Sequence, residues 1–306
     1  MASKTIQAAA LPRRSRRQAN KQWIGVLFVL PSLLFVVAFF LLPLLMTAWM
    51  SLHDWPLLGK HSFIGVGNYL RMLHDKTFWS SLRFTSLYTL AVTPFLFLLG
   101  FGMALLARVP SRITGVFRTS VFLPAVLGLS TASLLFLWLL NDQVGVLNAG
   151  LVGLGFLKQP FVWQLNLSTS LLVVVAVITW KAAGNTMLFL LIGMQAIPAE
   201  LYEAATVDGA SAWQRLRFIT LPLLRRTFAL TLVLSVTGSY LAFDQFYVMT
   251  NGGPNNQTIT SVYYLYNTAF GYYRLGYASA LSLVLLVILG LLSVLQLRLL
   301  RDDTTV

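Results

Sequence analysis

The chain has 306 residues, of which 57% are hydrophobic and only 10% are charged. Because soluble globular domains carry charge on about a quarter of their residues, this composition excludes an ordinary soluble enzyme. The net charge of +13 would suggest nucleic acid for a soluble protein but topology for a membrane protein, and the absence of Cys excludes disulfide scaffolds and thiolate metal sites.

Stretches without Lys, Arg, Asp or Glu mark the predicted membrane spans. A helix needs about 20 residues to cross the hydrocarbon, and four uncharged stretches are long enough. Two further apolar stretches hold one charge each, Lys181 in the fourth span and Asp244 in the fifth. The predicted spans are residues 22–53, 84–107, 119–141, 171–194, 227–249 and 275–297. The sequence therefore predicts an all-α membrane protein with six transmembrane helices.

The distribution of Lys and Arg predicts the orientation. Fifteen of the 22 lie in the two tails and the second and fourth loops, six lie on the opposite side, and Lys181 lies between. Since positive loops stay in the cytoplasm, both termini are expected there. The basic tail, residues 1–21, could bind nucleic acid, but membrane anchoring explains its charges and no nucleic-acid partner is expected. A membrane domain over residues 22–300 and a short tail over 301–306 complete the chain.

Several common chemical motifs are missing. The chain has no G-x-x-x-x-G-K-[ST] loop to cradle a nucleotide. Its three histidines, His53, His61 and His74, lie in the first loop between spans without the H-x-x-x-H spacing of a metal site. We therefore expect no catalytic residue, no metal and no cofactor bound by this chain.

A dense motif lies between the fourth and fifth spans, in residues 197–222. Pro198 and the acidic residues after it predict a helix start, and Gly209 predicts its end because glycine accepts a positive φ. Ala204 and Ala205 leave one face of this helix almost bare. Two interpretations remain open, a helix that docks in a cleft of another protein and an ordinary helix at the membrane surface.

The spacing of this motif resembles the EAA loop in permease subunits of binding-protein-dependent ABC importers. The matching residues are Glu203-Ala204-Ala205, Gly209, Ile219 and Leu221-Pro222. A second loop, Gly252-Gly253-Pro254, also resembles the family. The resemblance covers roughly residues 22–300 and is nearest to the carbohydrate-uptake branch, with the maltose and glycerol-3-phosphate permeases. The short first external loop departs from the enterobacterial maltose permease, which has a large inserted domain there.

This resemblance implies the transmembrane domain of a type I ABC importer in the cytoplasmic membrane of a bacterium or archaeon. The implied partners are a sister permease, two copies of an ATPase subunit that binds ATP and Mg²⁺, and an extracytoplasmic binding protein or lipoprotein. In the family the EAA helix sits in a groove of the ATPase. The coupling residues implied here are Glu203, Ala204, Ala205, Asp208 and Gly209.

Polar residues inside the spans are the candidate substrate contacts, because an ionisable group at mid-membrane is costly and marks a functional site by default. Asn185 follows Lys181 at i+4 and shares its face. In the fifth span, one helical face is expected to carry Ser235 and Ser239, and the neighbouring face Tyr240 and Asp244. The resemblance places the candidates Lys181, Asn185, Ser235 and Ser239 where the maltose permease contacts its sugar.

Other roles for these residues remain open. Small and hydroxyl residues often serve helix packing in membranes, and Lys181 could pair with Asp244 or extend into a water-filled cavity. The predicted function is import of a sugar or sugar derivative. The alternatives are import of a phosphorylated polyol such as glycerol 3-phosphate and, from a different class, a membrane-embedded transferase.

Overall fold

The computed structural model describes residues 27–299, which form a helical bundle with one short β-hairpin. The elements in chain order are α1 (Leu27–Ser51), β1 (His53–Asp54), β2 (Ser62–Phe63), α2 (Gly67–Leu73), α3 (Lys76–Leu106), α4 (Arg112–Val126), α5 (Leu129–Leu139), α6 (Val146–Gly153), α7 (Leu167–Gln195), α8 (Ala199–Val207), α9 (Ala212–Leu223), α10 (Arg225–Tyr240), α11 (Ser261–Tyr266) and α12 (Leu275–Leu299). The two tails predicted at residues 1–21 and 301–306 lie outside the described residues.

Four helices are long and apolar enough to cross a membrane, namely α1, α3, α7 and α12. Two helix pairs reach this length only together, and each is bent, by 95° between α4 and α5 and by 65° between α9 and α10. The described part of the chain therefore has four straight candidate spans, or six if each bent pair is counted as one. The chain is a helical, multi-pass membrane protein.

The third predicted span, residues 119–141, is not one helix. The chain is extended at Leu127 and Gly128, between α4 and α5. Pro124 lies in the last turn of α4, where it removes a hydrogen-bond donor, and glycine has a low helix propensity. These two residues explain why the helix breaks here and turns sharply.

The fifth predicted span, residues 227–249, is also interrupted. Helix α10 ends at Tyr240, and the chain becomes helical again only at residue 244, with a π-helical turn at Phe246–Thr250. The Thr260 hydroxyl donates a 2.6 Å hydrogen bond to the carbonyl oxygen of Ala242, a backbone group that a continuous helix would have used itself. The prediction that Tyr240 and Asp244 share one face of a continuous helix is therefore wrong.

The core lies where α3 packs against α7. Tyr88 and Val92 on α3 meet Val174 and Val177 on α7, and Phe246 closes the group. Lipid tails are as apolar as these side chains, so the helices associate through close packing and not through removal of apolar area from water. The closely packed α3–α7 pair is therefore the centre of the bundle.

Candidate functional site

One cavity of about 270 Å³ contains four of the six predicted substrate residues. Lys181 and Asn185 line it from α7, and Ser235 and Ser239 line it from α10. Lys181 and Asn185 lie on the same face of α7, as their i, i+4 spacing predicts, because this helix is unbroken over its 29 residues. The cavity therefore joins polar groups from two helices that are far apart in sequence.

Lys181 lies midway along α7, so either helix end is about 21 Å away at 1.5 Å per residue. Its Nζ donates a long hydrogen bond of 3.4 Å to the carbonyl oxygen of Ala125. The carboxylate of Asp244 accepts a 2.9 Å hydrogen bond from the Ser130 hydroxyl instead. The pairing of Lys181 with Asp244, left open by the sequence, is therefore absent from the described structure.

Tyr240 and Asp244, the other two predicted substrate residues, do not line this cavity. The buried Tyr240 hydroxyl lies 2.8 Å from the Ser86 hydroxyl on α3, and Asp244 bonds Ser130 on α5. Because α10 ends at Tyr240, helical periodicity cannot place Asp244 relative to Ser235. Both side chains serve contacts between helices in this structure.

The cavity also has polar residues that the sequence analysis did not identify, among them Tyr88 and Gln245. Gln245 is 3% exposed, and its Nε2 donates a 3.3 Å hydrogen bond to the Tyr88 hydroxyl. Its Oε1 is buried and has no partner among the described residues. The sequence does show that Gln245 is a polar residue inside a predicted span. Its partner Tyr88, however, is 157 residues away in sequence. An unpaired buried amide oxygen costs about 1–3 kcal/mol, so Gln245 is poised to accept a hydrogen bond.

Helix α8, which we call the coupling helix, has the predicted bounds. It begins directly after Pro198, has Glu200 in its first turn, and ends before Gly209, whose φ is +76°. At this end the Ala210 N–H donates to the carbonyl oxygen of Ala205 at 2.8 Å, and the Gly209 N–H donates to that of Thr206 at 3.1 Å. This Schellman-type ending requires the left-handed conformation that glycine favours. The predicted helix start and stop are confirmed.

The predicted coupling residues lie on an open surface. The side chains of Glu203 and Ala204 are exposed, Asp208 and Gly209 are exposed, and Ala205 is half-buried. Glu203 has no hydrogen bond or ion pair with any residue in 27–299, and a Cβ added to Gly209 would meet nothing. Val207 is 88% exposed at the end of the same helix. The exposed surface of this helix therefore combines small, apolar and acidic side chains. These side chains make few contacts with the rest of the chain.

The opposite face of the coupling helix is anchored through Tyr202. The Arg108 guanidinium, from the loop between α3 and α4, lies 3.9 Å from the centre of the Tyr202 ring. The Tyr202 hydroxyl lies 3.0 Å from that of Thr220 on α9. A third contact runs from Arg215 Nη1 on α9 to the Thr206 hydroxyl at 2.8 Å. The coupling helix is therefore tied to two parts of the bundle while its other face stays free.

At the other end of α3, Asp75 joins three helices. Its Oδ1 accepts hydrogen bonds from the backbone N–H groups of Thr77 and Phe78, and its Oδ2 accepts 2.6 Å bonds from the hydroxyls of Tyr264 and Tyr277. Burial raises the pKa of Asp75, but these hydrogen bonds together outweigh burial and the pKa lies below its ordinary value. Asp75 is therefore a charged N-cap that fixes α11 and α12 to the start of α3.

The family is identified by comparison with known proteins. The family model of the binding-protein-dependent transport system inner membrane component matches residues 96–302. The chain belongs to this family. It is 33% identical over 279 residues to the lactose transport system permease protein LacF of Rhizobium radiobacter, covering 89% of this chain and 92% of that protein. It is also 34% identical over 278 residues to the trehalose/maltose permease MalF of Thermococcus litoralis, covering 90% and 92%.

A further relative covers nearly the whole chain. The sulfoquinovosyl glycerol transport system permease protein SmoG of Agrobacterium fabrum is 33% identical over 299 residues, covering 97% of this chain and 96% of that protein. These relatives are transport permeases and not enzymes, which confirms the resemblance to the carbohydrate-uptake branch. The chain is a permease of a binding-protein-dependent importer.

The solved structures agree on the fold. A bacterial ABC transporter involved in import of the acidic polysaccharide alginate has a chain that superposes with a TM-score of 0.82. The match covers 94% of this chain and 99% of that one, at 21% identity. The overall arrangement of the helices is therefore that of an ABC importer permease.

Proposed function

We propose that this chain is one of two permease subunits that together form the path of a sugar or sugar derivative through an ATP-driven importer. The proposal rests on one relationship, the connection of the cavity to the coupling helix through α7. Asn185 lies in the cavity, α7 continues to Gln195, and the coupling helix begins at Ala199. At about 1.5 Å per residue, only about 15 Å of unbroken helix separates Asn185 from the end of α7. Movement of the coupling helix would therefore reach the cavity.

The partners of the proposed assembly are a sister permease, two copies of an ATPase subunit and an extracytoplasmic binding protein or lipoprotein. The ATPase subunits would bind ATP and Mg²⁺. The exposed small face of the coupling helix suits a groove in the ATPase, with Glu203 for coupling and Ala204, Ala205 and Gly209 for close approach. Asp208, exposed at the end of the helix, adds charge to this surface.

The location follows from the charge distribution. We place the protein in the cytoplasmic membrane of a bacterium or archaeon, with both termini and the coupling helix on the cytoplasmic side. Arg108 and Arg215, which contact the coupling helix, contribute to the basic side of the chain. The Asp75 cluster then lies on the extracytoplasmic side.

The proposed substrate contacts are the polar groups of the cavity. Asn185 and Ser235 can donate and accept hydrogen bonds, and Gln245 has an unused amide oxygen. The Ser239 hydroxyl donates to the carbonyl oxygen of Ser235 at 2.8 Å, so it remains available as an acceptor. Sugar hydroxyls both donate and accept, which matches this mixture. Tyr240 and Asp244 remain candidates only if the cavity changes shape during transport.

Two measurements test the proposed function. Affinity-tagged chain purified from its native membranes should bring down an ATPase subunit, identified by mass spectrometry. The complex reconstituted in proteoliposomes with its binding protein should hydrolyse ATP faster when the correct sugar is present. The panel would include lactose, trehalose, maltose and sulfoquinovosyl glycerol, because relatives carry these names. Absence of an ATPase partner, or ATP hydrolysis that responds to no sugar or sugar derivative, would contradict the proposal.

A further inference from the structure

The cavity has one charged side chain and no opposite charge. Among the described residues that line it, Lys181 is the only Lys, Arg or His, and none is Asp or Glu. The remaining polar groups are neutral hydroxyls and amides. The walls that this chain contributes are therefore electropositive.

The structure offers Lys181 little compensation for this charge. A charged side chain at mid-membrane is costly and normally pairs with another charge or with backbone carbonyls. Within residues 27–299, Nζ donates its one hydrogen bond to the carbonyl oxygen of Ala125, 3.4 Å away, at the outer limit of such a bond. Both helix ends are too far for the lysine side chain to reach, since each is about 21 Å away along α7.

No acidic side chain within residues 27–299 forms an ion pair with Lys181. Asp244 is the only acidic residue inside a predicted span, and its carboxylate bonds Ser130 outside the cavity. Asp75 belongs to the cluster at the far end of α3, and Glu203 is on the exposed coupling helix. The ammonium group therefore has unused donors in a cavity that contains other sugar-binding groups.

We infer that the transported molecule is an anionic sugar derivative whose acidic group pairs with Lys181. This inference rests on the proposed function and narrows its substrate class. Lysine acts as a compact point charge with three donors, so it suits a carboxylate, sulfonate or phosphate without requiring a planar partner. Asn185, Ser235 and Gln245 would hold the hydroxyls of the same molecule. A cavity of about 270 Å³ lies near the lower end of ligand-pocket sizes and suits a small saccharide.

The test compares pairs of probes that share a sugar ring and differ at C6, where one member has an acidic group and the other a neutral hydroxyl. Sulfoquinovosyl glycerol and glucosylglycerol share their ring and aglycone, and glucuronic acid and glucose form a second such pair. Uptake into proteoliposomes that contain the complete importer is measured for wild type, Lys181→Met and Lys181→Arg. Selectivity of the binding protein cancels when the anionic-to-neutral ratio of a variant is divided by that of wild type. Lys158→Met is the matched control, because Lys158 is exposed in a loop outside the cavity.

Wild type should prefer the anionic member of at least one pair. Lys181→Met should lower the anionic-to-neutral ratio by about tenfold, since removal of one member of a charge pair weakens binding by at least that much. Lys181→Arg should restore most of the ratio, and Lys158→Met should leave it unchanged. In Lys181→Met, uptake of the neutral probe should fall far less than uptake of the anionic probe.

Three results would overturn the inference. Wild type could prefer the neutral sugars, Lys181→Met could leave the ratio unchanged, or it could lower uptake of both probes equally, as expected of a purely structural lysine. In each case the importer still transports sugar and the proposed function stands. Failure of wild type to transport any probe, while ATP hydrolysis responds to none, would instead overturn the proposed function together with this inference.

Discussion

The hydroxyls of Tyr202 on the coupling helix and Thr220 on α9 lie 3.0 Å apart, while the other side of the helix has no such anchor. The Tyr202 ring also stacks under Arg108. Tyr202→Ala removes both contacts, and a cation–π contact alone contributes about 0.5–1 kcal/mol at an exposed site. We expect a chain that still inserts and still binds the ATPase, but with weaker stimulation of ATP hydrolysis by substrate, measured in proteoliposomes.

Tyr202→Phe serves as the matched control, because it keeps the ring over Arg108 and loses only the hydrogen bond. Its defect should lie between those of wild type and Tyr202→Ala. If both variants couple ATP hydrolysis to uptake as wild type does, the anchoring role is incorrect.

Changes at the coupling helix should weaken its docking, and of the two variants considered only Gly209→Pro should also disturb the local backbone. Glu203→Ala removes an exposed side chain that makes no hydrogen bond or ion pair with residues 27–299, so thermal stability of the isolated permease should be unchanged. Gly209→Pro is stronger, because proline fixes φ near −65° where the chain needs +76° and also removes the N–H bonded to Thr206. Both should reduce sugar uptake and co-purification of the ATPase.

Val207→Ala is a useful comparison for these two variants, since Val207 is exposed on the same helix but lies outside the EAA spacing. Normal uptake by Glu203→Ala and Gly209→Pro would rule out the coupling helix as the ATPase contact. Reduced uptake accompanied by a loss of membrane insertion would point to a folding defect instead.

Features set by local chemistry could be predicted from the sequence. Gaps between charges locate the apolar helices, and Pro198 and Gly209 bound the coupling helix because their effects on the backbone are local. The i, i+4 relation of Lys181 and Asn185 holds because α7 is continuous.

Features that depend on distant contacts could not be predicted. No Gly or Pro follows the end of α10 at Tyr240 until Gly252, and the break involves the Thr260 bond to Ala242 from outside the helix. The bond between Gln245 and Tyr88 likewise joins segments 157 residues apart. Periodicity describes one element at a time, and these contacts exist only once the bundle has formed.

The Asp75 cluster predicts a stability effect with a defined pH dependence. Asp75→Ala loses the N-cap, which contributes about 1 kcal/mol, and the charged hydrogen bonds from Tyr264 and Tyr277, which contribute about 1.5–3 kcal/mol each. Asp75→Asn keeps a good N-cap and should be destabilised less. Thermal unfolding in detergent would show the order wild type, Asp75→Asn, Asp75→Ala.

The lowered pKa of Asp75 fixes the sign of the pH effect. The stabilisation is complete above the ordinary value of 3.8 and is lost as pH falls through the lower folded value. The gap between wild type and Asp75→Asn should therefore be constant from pH 5 to 8 and should narrow only below about pH 4. If the stability difference between wild type and Asp75→Asn disappeared near pH 6, Asp75 would not stabilise the protein as a carboxylate of lowered pKa.

Gln245 and Tyr88 predict an effect on substrate affinity. Gln245→Met keeps the length of the side chain and removes the unpaired Oε1, so it should weaken substrate binding by about tenfold. It also removes the Nε2 donor to the buried Tyr88 hydroxyl, so stability should fall by about 1 kcal/mol. Tyr88→Phe removes the hydroxyl that receives the Gln245 amide and should have a smaller effect through loss of orientation. The substrate concentration for half-maximal ATPase stimulation measures both. An unchanged value in Gln245→Met would show that Oε1 serves a bound water or nothing.

Close approach of α4 to α7 at Gly184 predicts a packing effect. A Cβ at this position would lie 2.4 Å from the carbonyl oxygen of Val121 and 3.0 Å from the Cα of Phe122, both backbone atoms that cannot rotate away. Gly184→Ala should therefore push α4 from α7 and lower stability by about 1–3 kcal/mol, which thermal unfolding would detect. Since the Ala125 carbonyl oxygen on α4 lies 3.4 Å from Lys181 Nζ, displacement of α4 should shift Lys181 and lower substrate affinity as well. Gly290→Ala on α12 is the control, because a Cβ there meets nothing within 4 Å, and equal stability of the two variants would contradict the predicted clash.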